Sequence, residues 1–232
     1  MTGQTIELAT AEGRFGGYLA RPAAGRGPGI LVIQEIFGVN KVMRDIADDL
    51  AATGYFALVP DLFWRLEPGV QLSDKTKPEW DKALALMNRF NPDTGAADIQ
   101  TGIDYLRARP GCTGKVGAVG YCLGGLLAYL TAARSDADAS VAYYGVNIQD
   151  RLDEAKNIKK PFMLHMGGQD EFVPPPAQAK VIEGLKDHPL VTLHLYPHMN
   201  HAFARVGGAH YDKACAELAN TRSATFLRQH LS

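Results

Sequence analysis

Apolar positions along this chain follow two rhythms. Short apolar runs predict strands: GPGILVIQ at 27–34, apolar on both faces as a buried parallel strand is, then YFALV at 55–59, KVGAVG at 115–120, SVAYYG at 140–145, PFMLHMG at 161–167 and VTLHLYP at 191–197. Helical spacing alternates with these runs. Val42, Ile46 and Leu50 predict a helix over 41–53 that Gly54 stops, and Ile99, Ile103 and Leu106 mark one face of a helix over 94–109. Further helices are predicted over 78–90, from Cys122 to about Arg134, over 176–187 and over 209–230. At the start, TIELAT and FGGYLARP flank the turn signal Ala11-Glu12-Gly13-Arg14 and predict a hairpin. Strand–helix alternation of this kind implies an α/β fold with a mostly parallel sheet of about seven to eight strands and helices on both faces. The segment 64–78 is polar and turn-rich, and reads as a surface insertion within one domain spanning residues 1–232.

Composition narrows the function classes. Of the 232 residues, 24 are Lys or Arg and 25 are Asp or Glu, so the net charge of −1 gives neither the basic excess of a nucleic-acid binder nor a polybasic membrane anchor. No apolar run reaches the roughly 18 residues of a membrane span. The start MTGQTIELATAEG has neither basic flank nor apolar stretch, so no secretory signal is read there and a cytoplasmic location is expected. The three cysteines, Cys112, Cys122 and Cys215, form no C-x-x-C pair and do not suggest a disulfide framework. Each is either a small buried hydrophobe or a reactive thiol. No nucleotide-binding motif is present, and no cofactor is expected.

Cys122 stands apart. Gly120-Tyr121-Cys122-Leu123-Gly124 joins a predicted strand to a predicted helix and has the form G-x-C-x-G, a nucleophile-elbow pattern with cysteine in the serine position. Such a turn pushes the side chain into a cleft, and the helix N-terminus behind it favours a thiolate. A nucleophile needs a base, and the base needs an orienting acid. Asp170 and His201 each follow a predicted strand, in the order acid then histidine, with room for a helix and a strand between them. Glu171 competes with Asp170, and His198 competes with His201. The His198/His201 pair raises a metal reading, but no cluster completes a ligand set, so no metal is expected. His165 and His194 lie inside strands and read as satisfied core histidines. Glu35 ends the strand ILVIQ, where a carboxylate faces either the cleft or solvent; near Cys122 it would hold the thiol protonated or accept its proton. The amides of Ile36 and Leu123 are candidate oxyanion donors.

Five blocks, QEIFGVN at 34–40, VGYCLGG at 119–125, YYGV at 143–146, HMGGQDEFVP at 165–174 and HAFAR at 201–205, resemble the dienelactone hydrolase family in order and spacing over nearly the whole chain. The resemblance implies an α/β-hydrolase fold and a triad of Cys122, His201 and Asp170, with Glu35 engaging the resting thiol and Ile36 and Leu123 forming the oxyanion hole. It further implies that Arg205 contacts a substrate carboxylate and that Tyr144 and Phe37 line the pocket. The expected reaction is opening of 4-carboxymethylenebut-2-en-4-olide to maleylacetate, with a small ester or lactone as the only partner; oligomeric state stays open, a monomer being compatible. One departure is visible. The family's second carboxylate-binding arginine aligns with Trp80, with Leu84 and Met87 in place of aromatic residues, and no arginine lies between Arg65 and Arg89. Trp80 cannot supply a bidentate contact, so a family hydrolase acting on a different ester or lactone stands beside the first reading. A non-catalytic or redox-sensing scaffold is the reading from another class.

Overall fold

The computed structural model describes residues 3–232. The chain is α/β, with eight strands, six α-helices and a mostly parallel sheet among the described residues. Its contacts divide it into two compact units, residues 1–118 and 119–232.

In the first unit, β1 (Gln4–Thr10) and β2 (Gly13–Ala20) form the expected hairpin, with Thr10 paired to Gly13. β2 runs antiparallel to β4 (Phe56–Pro60), and β4 runs parallel to β3 (Gly27–Ile33). Every residue of β4 is buried, as is all of β3 except Pro28, which suits strands covered on both faces. Helix α1 (Lys41–Ala52) starts where the Asn40 side chain accepts the Met43 N–H, and it buries Met43, Ala47 and Ala51. Helices α2 (Lys77–Arg89) and α3 (Pro92–Arg107) begin at Thr76 and Asn91 caps followed closely by proline. The proline and cap place α3 two residues earlier than apolar spacing suggests.

The segment 64–78 differs from a plain surface excursion. Val70 is buried, and its carbonyl accepts the Val39 N–H at 3.0 Å. Leu72 N–H donates to the Phe37 carbonyl at 2.9 Å, and the Asn40 amide donates to the Leu72 carbonyl at 3.0 Å. Gly38 adopts φ 74°, and a Cβ there would collide with the Val70 carbonyl. These hydrogen bonds, two between backbones and one from the Asn40 side chain, clamp the loop that follows β3. They depend on residues far apart in sequence, so local polarity does not reveal them.

β5 (Cys112–Tyr121) runs through the division between the units. In the second unit, β6 (Ala139–Tyr143), β7 (Phe162–Gly167) and β8 (Val191–Tyr196) pair in parallel, so their C-terminal ends share one edge. Helix α4 (Leu123–Arg134) is buried along nearly its whole length. Helix α5 (Pro175–Leu185) precedes β8, and α6 (Lys213–Leu231) closes the chain. α6 starts four residues later than the pattern suggests, because Asp212 caps it by accepting the Cys215 N–H. No described helix is long and apolar enough to cross a membrane.

Candidate active site

Cys122 joins β5 to α4 with φ 57° and ψ −115°, a left-handed backbone that a residue with a side chain adopts at a cost. The strain points to an enforced turn, and glycines make it sterically possible. A Cβ on Gly120 would collide with the Gly124 carbonyl, and one on Gly125 would lie 2.6 Å from Gly145 Cα and 2.7 Å from the Tyr143 carbonyl. The Cys122 N–H donates to the Tyr143 carbonyl at 3.1 Å, which ties the turn to the end of β6. The sulfur-bearing residue is 8% exposed, and it caps α4 without a side-chain hydrogen bond. Leu123 follows as the first residue of α4, so its N–H has no intrahelical acceptor.

The two partners come from the loops after β7 and β8. Asp170 Oδ2 lies 2.9 Å from His201 Nδ1, with Asp170 3% and His201 5% exposed. The other oxygen, Oδ1, accepts the Phe172 N–H at 2.9 Å and the Val173 N–H at 3.3 Å. Both oxygens are thereby satisfied, which a buried carboxylate requires. The competing acid Glu171 is exposed, and so is the competing histidine His198. Burial on His201 opposes its charged form, but the charge interaction with Cys122, the hydrogen bond to Asp170 and the hydrogen bond to Cys122 outweigh it, and the imidazole is pushed up to about 10. The second unit thus brings Cys122, His201 and Asp170 into one electrostatic group.

Two residues escape the motif reading. Asn200 Oδ1 accepts the His201 N–H at 2.6 Å and the Glu171 N–H at 3.1 Å, linking the acid and histidine loops. An asparagine beside the histidine in HMNH is the only sequence signal for this. Phe172 places its ring edge-on to His201 at 4.8 Å. Tyr144 does the same from the other strand end at 5.1 Å, with φ 38°. Arg205 is half-buried on the turn that follows His201, where its N–H donates to the Ala202 carbonyl at 2.9 Å.

The remaining candidates belong to the first unit. Glu35, Ile36 and Phe37 lie in the loop after β3, just past Gln34, and are 1%, 3% and 2% exposed. Gln34 beside them accepts the Leu62 N–H at 3.1 Å and donates to the Glu35 carbonyl at 3.3 Å. Glu35 is therefore held in a buried loop and is not a solvated edge acid. Trp80 on α2 packs against Phe37 with ring centroids 5.6 Å apart. Leu84 and Met87 continue the same helix face, all three half-buried. Arg65, the arginine that precedes this stretch, is committed elsewhere: its guanidinium holds the buried Asp98 at 2.5 and 3.1 Å and Glu12 at 2.7 Å.

The other cysteines and histidines take structural places. Cys112 and Cys215 are partly exposed free thiols. His165 is fully buried between the Tyr196 and Ser223 hydroxyls, each 2.9 Å away, as a satisfied core histidine should be. His194 stacks on it at 5.4 Å but is half-exposed, because β8 buries only Tyr196 completely. That corrects the core reading for His194.

Known proteins resemble this chain over most of its length. The Dienelactone hydrolase family matches residues 15–231. A protein of Azospirillum brasilense provisionally named a carboxymethylenebutenolidase is 48% identical, covering 95% of each chain. The carboxymethylenebutenolidase of Pseudomonas putida is 40% identical, covering 98% of this chain and 97% of its own. The crystal structure of a Klebsiella pneumoniae protein provisionally named a dienelactone hydrolase superposes with a TM-score of 0.85 at 25% identity, covering 99% of this chain and all of the other. With its elbow cysteine, its loop-borne acid and histidine, and a match from residue 15 to residue 231, the chain belongs to the dienelactone hydrolase family.

Proposed function

We propose that the protein hydrolyses a carboxylic ester or lactone through a cysteine acyl-enzyme. The observation that carries this is the strained Cys122 turn grouped with the buried His201–Asp170 pair. The Cys122 thiolate attacks the carbonyl carbon, and the carbonyl electrons move onto oxygen, where the Leu123 N–H at the start of α4 receives them. The tetrahedral species collapses, the alkoxide leaves, and imidazolium His201 gives it a proton. Water then attacks the thioester while His201 takes the proton, the acid departs and the thiol is restored. Asp170 holds the imidazole orientation and stabilises its charged form. Family resemblance adds Ile36 as a second oxyanion amide, Glu35 as the restraint on the resting thiol, and Arg205, Tyr144 and Phe37 as substrate contacts. A cytoplasmic setting suits a catalytic thiol, which must stay reduced.

The relatives named carboxymethylenebutenolidase support a dienelactone as substrate, opened to maleylacetate. Trp80 favours a second reading. With Trp80 on Phe37 and Arg65 committed to Asp98, the first unit offers an apolar face where the family places an arginine, which suits a less acidic ester or lactone. Dienelactone ring opening, followed by loss of ultraviolet absorbance, tests both. Turnover that disappears in Cys122→Ala supports the acyl-enzyme. Unchanged turnover in that variant overturns it, and wild-type turnover no better than that of a plain aryl ester moves the assignment to the second reading.

A further inference from the structure

Away from the residues discussed so far, the second unit carries a cavity of about 510 Å3, within the roughly 300–1,000 Å3 range of small-molecule sites. Its walls come from the N-terminal ends of β7 and β8 and from one face of α6. Asp170 and His201 follow the opposite ends of those same strands. Six strand residues at about 3.3 Å each put ~20 Å of β7 between the two places.

The floor is apolar, made by Met163, Leu190 and Phe226. The charged wall is Arg222, half-buried on α6. Its guanidinium donates to the Tyr196 hydroxyl at 3.2 Å and lies over the ring of the same tyrosine at 5.6 Å, a partner that carries no charge. No ion pair engages Arg222 among the described residues, and no Asp or Glu lines the cavity. Its positive charge is felt inside the unit, where it helps hold His165 and His194 below their ordinary range, after burial. His230 lies four residues beyond Phe226, edge-on to its ring at 4.7 Å, and also lines the cavity. A half-buried guanidinium without a counter-charge, above an apolar floor, suits a ligand with one anionic end and one apolar body.

We propose that this cavity is a second binding site, for a small amphipathic carboxylate whose anionic group pairs with Arg222 and whose aromatic or branched body rests on Met163, Leu190 and Phe226. The site is independent of the hydrolytic reading. It binds at a distance from Cys122 and takes part in no bond making or breaking.

Methionine-methyl 13C NMR on protein alkylated at Cys122 tests it, with naphthalene-1-acetate as the probe and Met163→Leu assigning the resonance. The Met163 methyl shifts and saturates with added probe, and the neutral probe naphthalene-1-acetamide binds about tenfold more weakly, as loss of one charge-assisted contact predicts. Arg222→Met weakens the carboxylate by a similar factor and leaves the amide unchanged, while Arg205→Met alters neither. The amide comparison uses wild-type protein, so it stands even if Arg222→Met fails to fold. A Met163 methyl that does not move, equal affinity for acid and amide, or a response that vanishes in Arg205→Met overturns the proposal. So does a solution dimer whose interface covers Met163 and excludes the probe.

Discussion

His201 Nδ1 lies 2.9 Å from Asp170 Oδ2, and both side chains are almost wholly withdrawn from water. The second Asp170 oxygen is held by two backbone N–H groups, so the carboxylate cannot turn away. Asp170→Asn keeps the shape and removes the charge that orients imidazolium. We expect kcat/KM for an activated aryl ester to fall about 10^3- to 10^4-fold with little change in KM, on the scale seen for such dyads. A loss below tenfold would assign the orienting role elsewhere. Glu171→Gln, at an exposed position, should change the rate less than threefold, as expected of a solvated group.

The Cys122–His201 coupling is readable by titration. The interaction with Cys122 is the leading influence that raises His201 against burial, bringing it to about 10. Cys122→Ala leaves only Asp170 to oppose burial, so His201 should titrate at lower pH. Selective histidine 15N labelling with NMR detection measures this directly. An identical His201 titration in both proteins would mean the two groups are not coupled.

Core histidine chemistry sets an acid limit on stability. His165 is held down to about 3, first by burial and then by His194 and Arg222, against 6.5 for an ordinary histidine. Below pH 6.5 the unfolded chain takes up a proton that the folded chain refuses, so this contribution to stability is whole above pH 6.5 and is lost as pH falls toward 3. Unfolding free energies from denaturant titrations should therefore fall more steeply below pH 6.5 in wild type than in His165→Gln, by about 1.4 kcal/mol per pH unit. Parallel curves would remove His165 from the account.

Backbone contact, more than side-chain chemistry, holds the elbow. A Cβ at residue 125 would meet Gly145 Cα at 2.6 Å and the Tyr143 carbonyl at 2.7 Å, and neither can swing aside. Gly125→Ala should lower stability by about 2–3 kcal/mol and reduce turnover, read by urea denaturation and ester hydrolysis together. Gly69→Ala is the contrast. Its Cβ meets nothing within 4 Å, and only its φ of 75° resists, at about 1 kcal/mol.

For Glu35, the proposed restraint on the thiol predicts that Glu35→Gln shifts the pH dependence of Cys122 alkylation by iodoacetamide. Superimposable profiles would leave Glu35 as a buried loop carboxylate with a structural role only.

Strand and helix identities were legible because burial on both faces and 3.6-residue spacing are local properties. GPGILVIQ, KVGAVG and the Ile99–Ile103–Leu106 face each carry their element within a dozen residues. Helix starts were less legible where a cap decides them, as Asn91 and Asp212 do. G-x-C-x-G announced Cys122 because only glycine tolerates so close a strand–helix approach, and that constraint is written in the chain itself.

Choices between neighbours were different. Asp170 against Glu171 and His201 against His198 are equal in residue chemistry, and only the loops after β7 and β8 turn one member of each pair inward. Asn200, which ties those loops together, carries no motif. The clamp that residues 70–72 place on the loop after β3 joins segments some thirty residues apart. Arg222 looks like any helix arginine until folding sets it over an apolar floor without an acid beside it. The sequence by itself determined the α/β class and the family and singled out Cys122 as the candidate nucleophile, since each is encoded in local pattern. The tertiary structure decided which acid and histidine are paired, how they are held and where the unmatched charge lies, because hydrogen-bond partners and burial are properties of chain segments brought together from a distance.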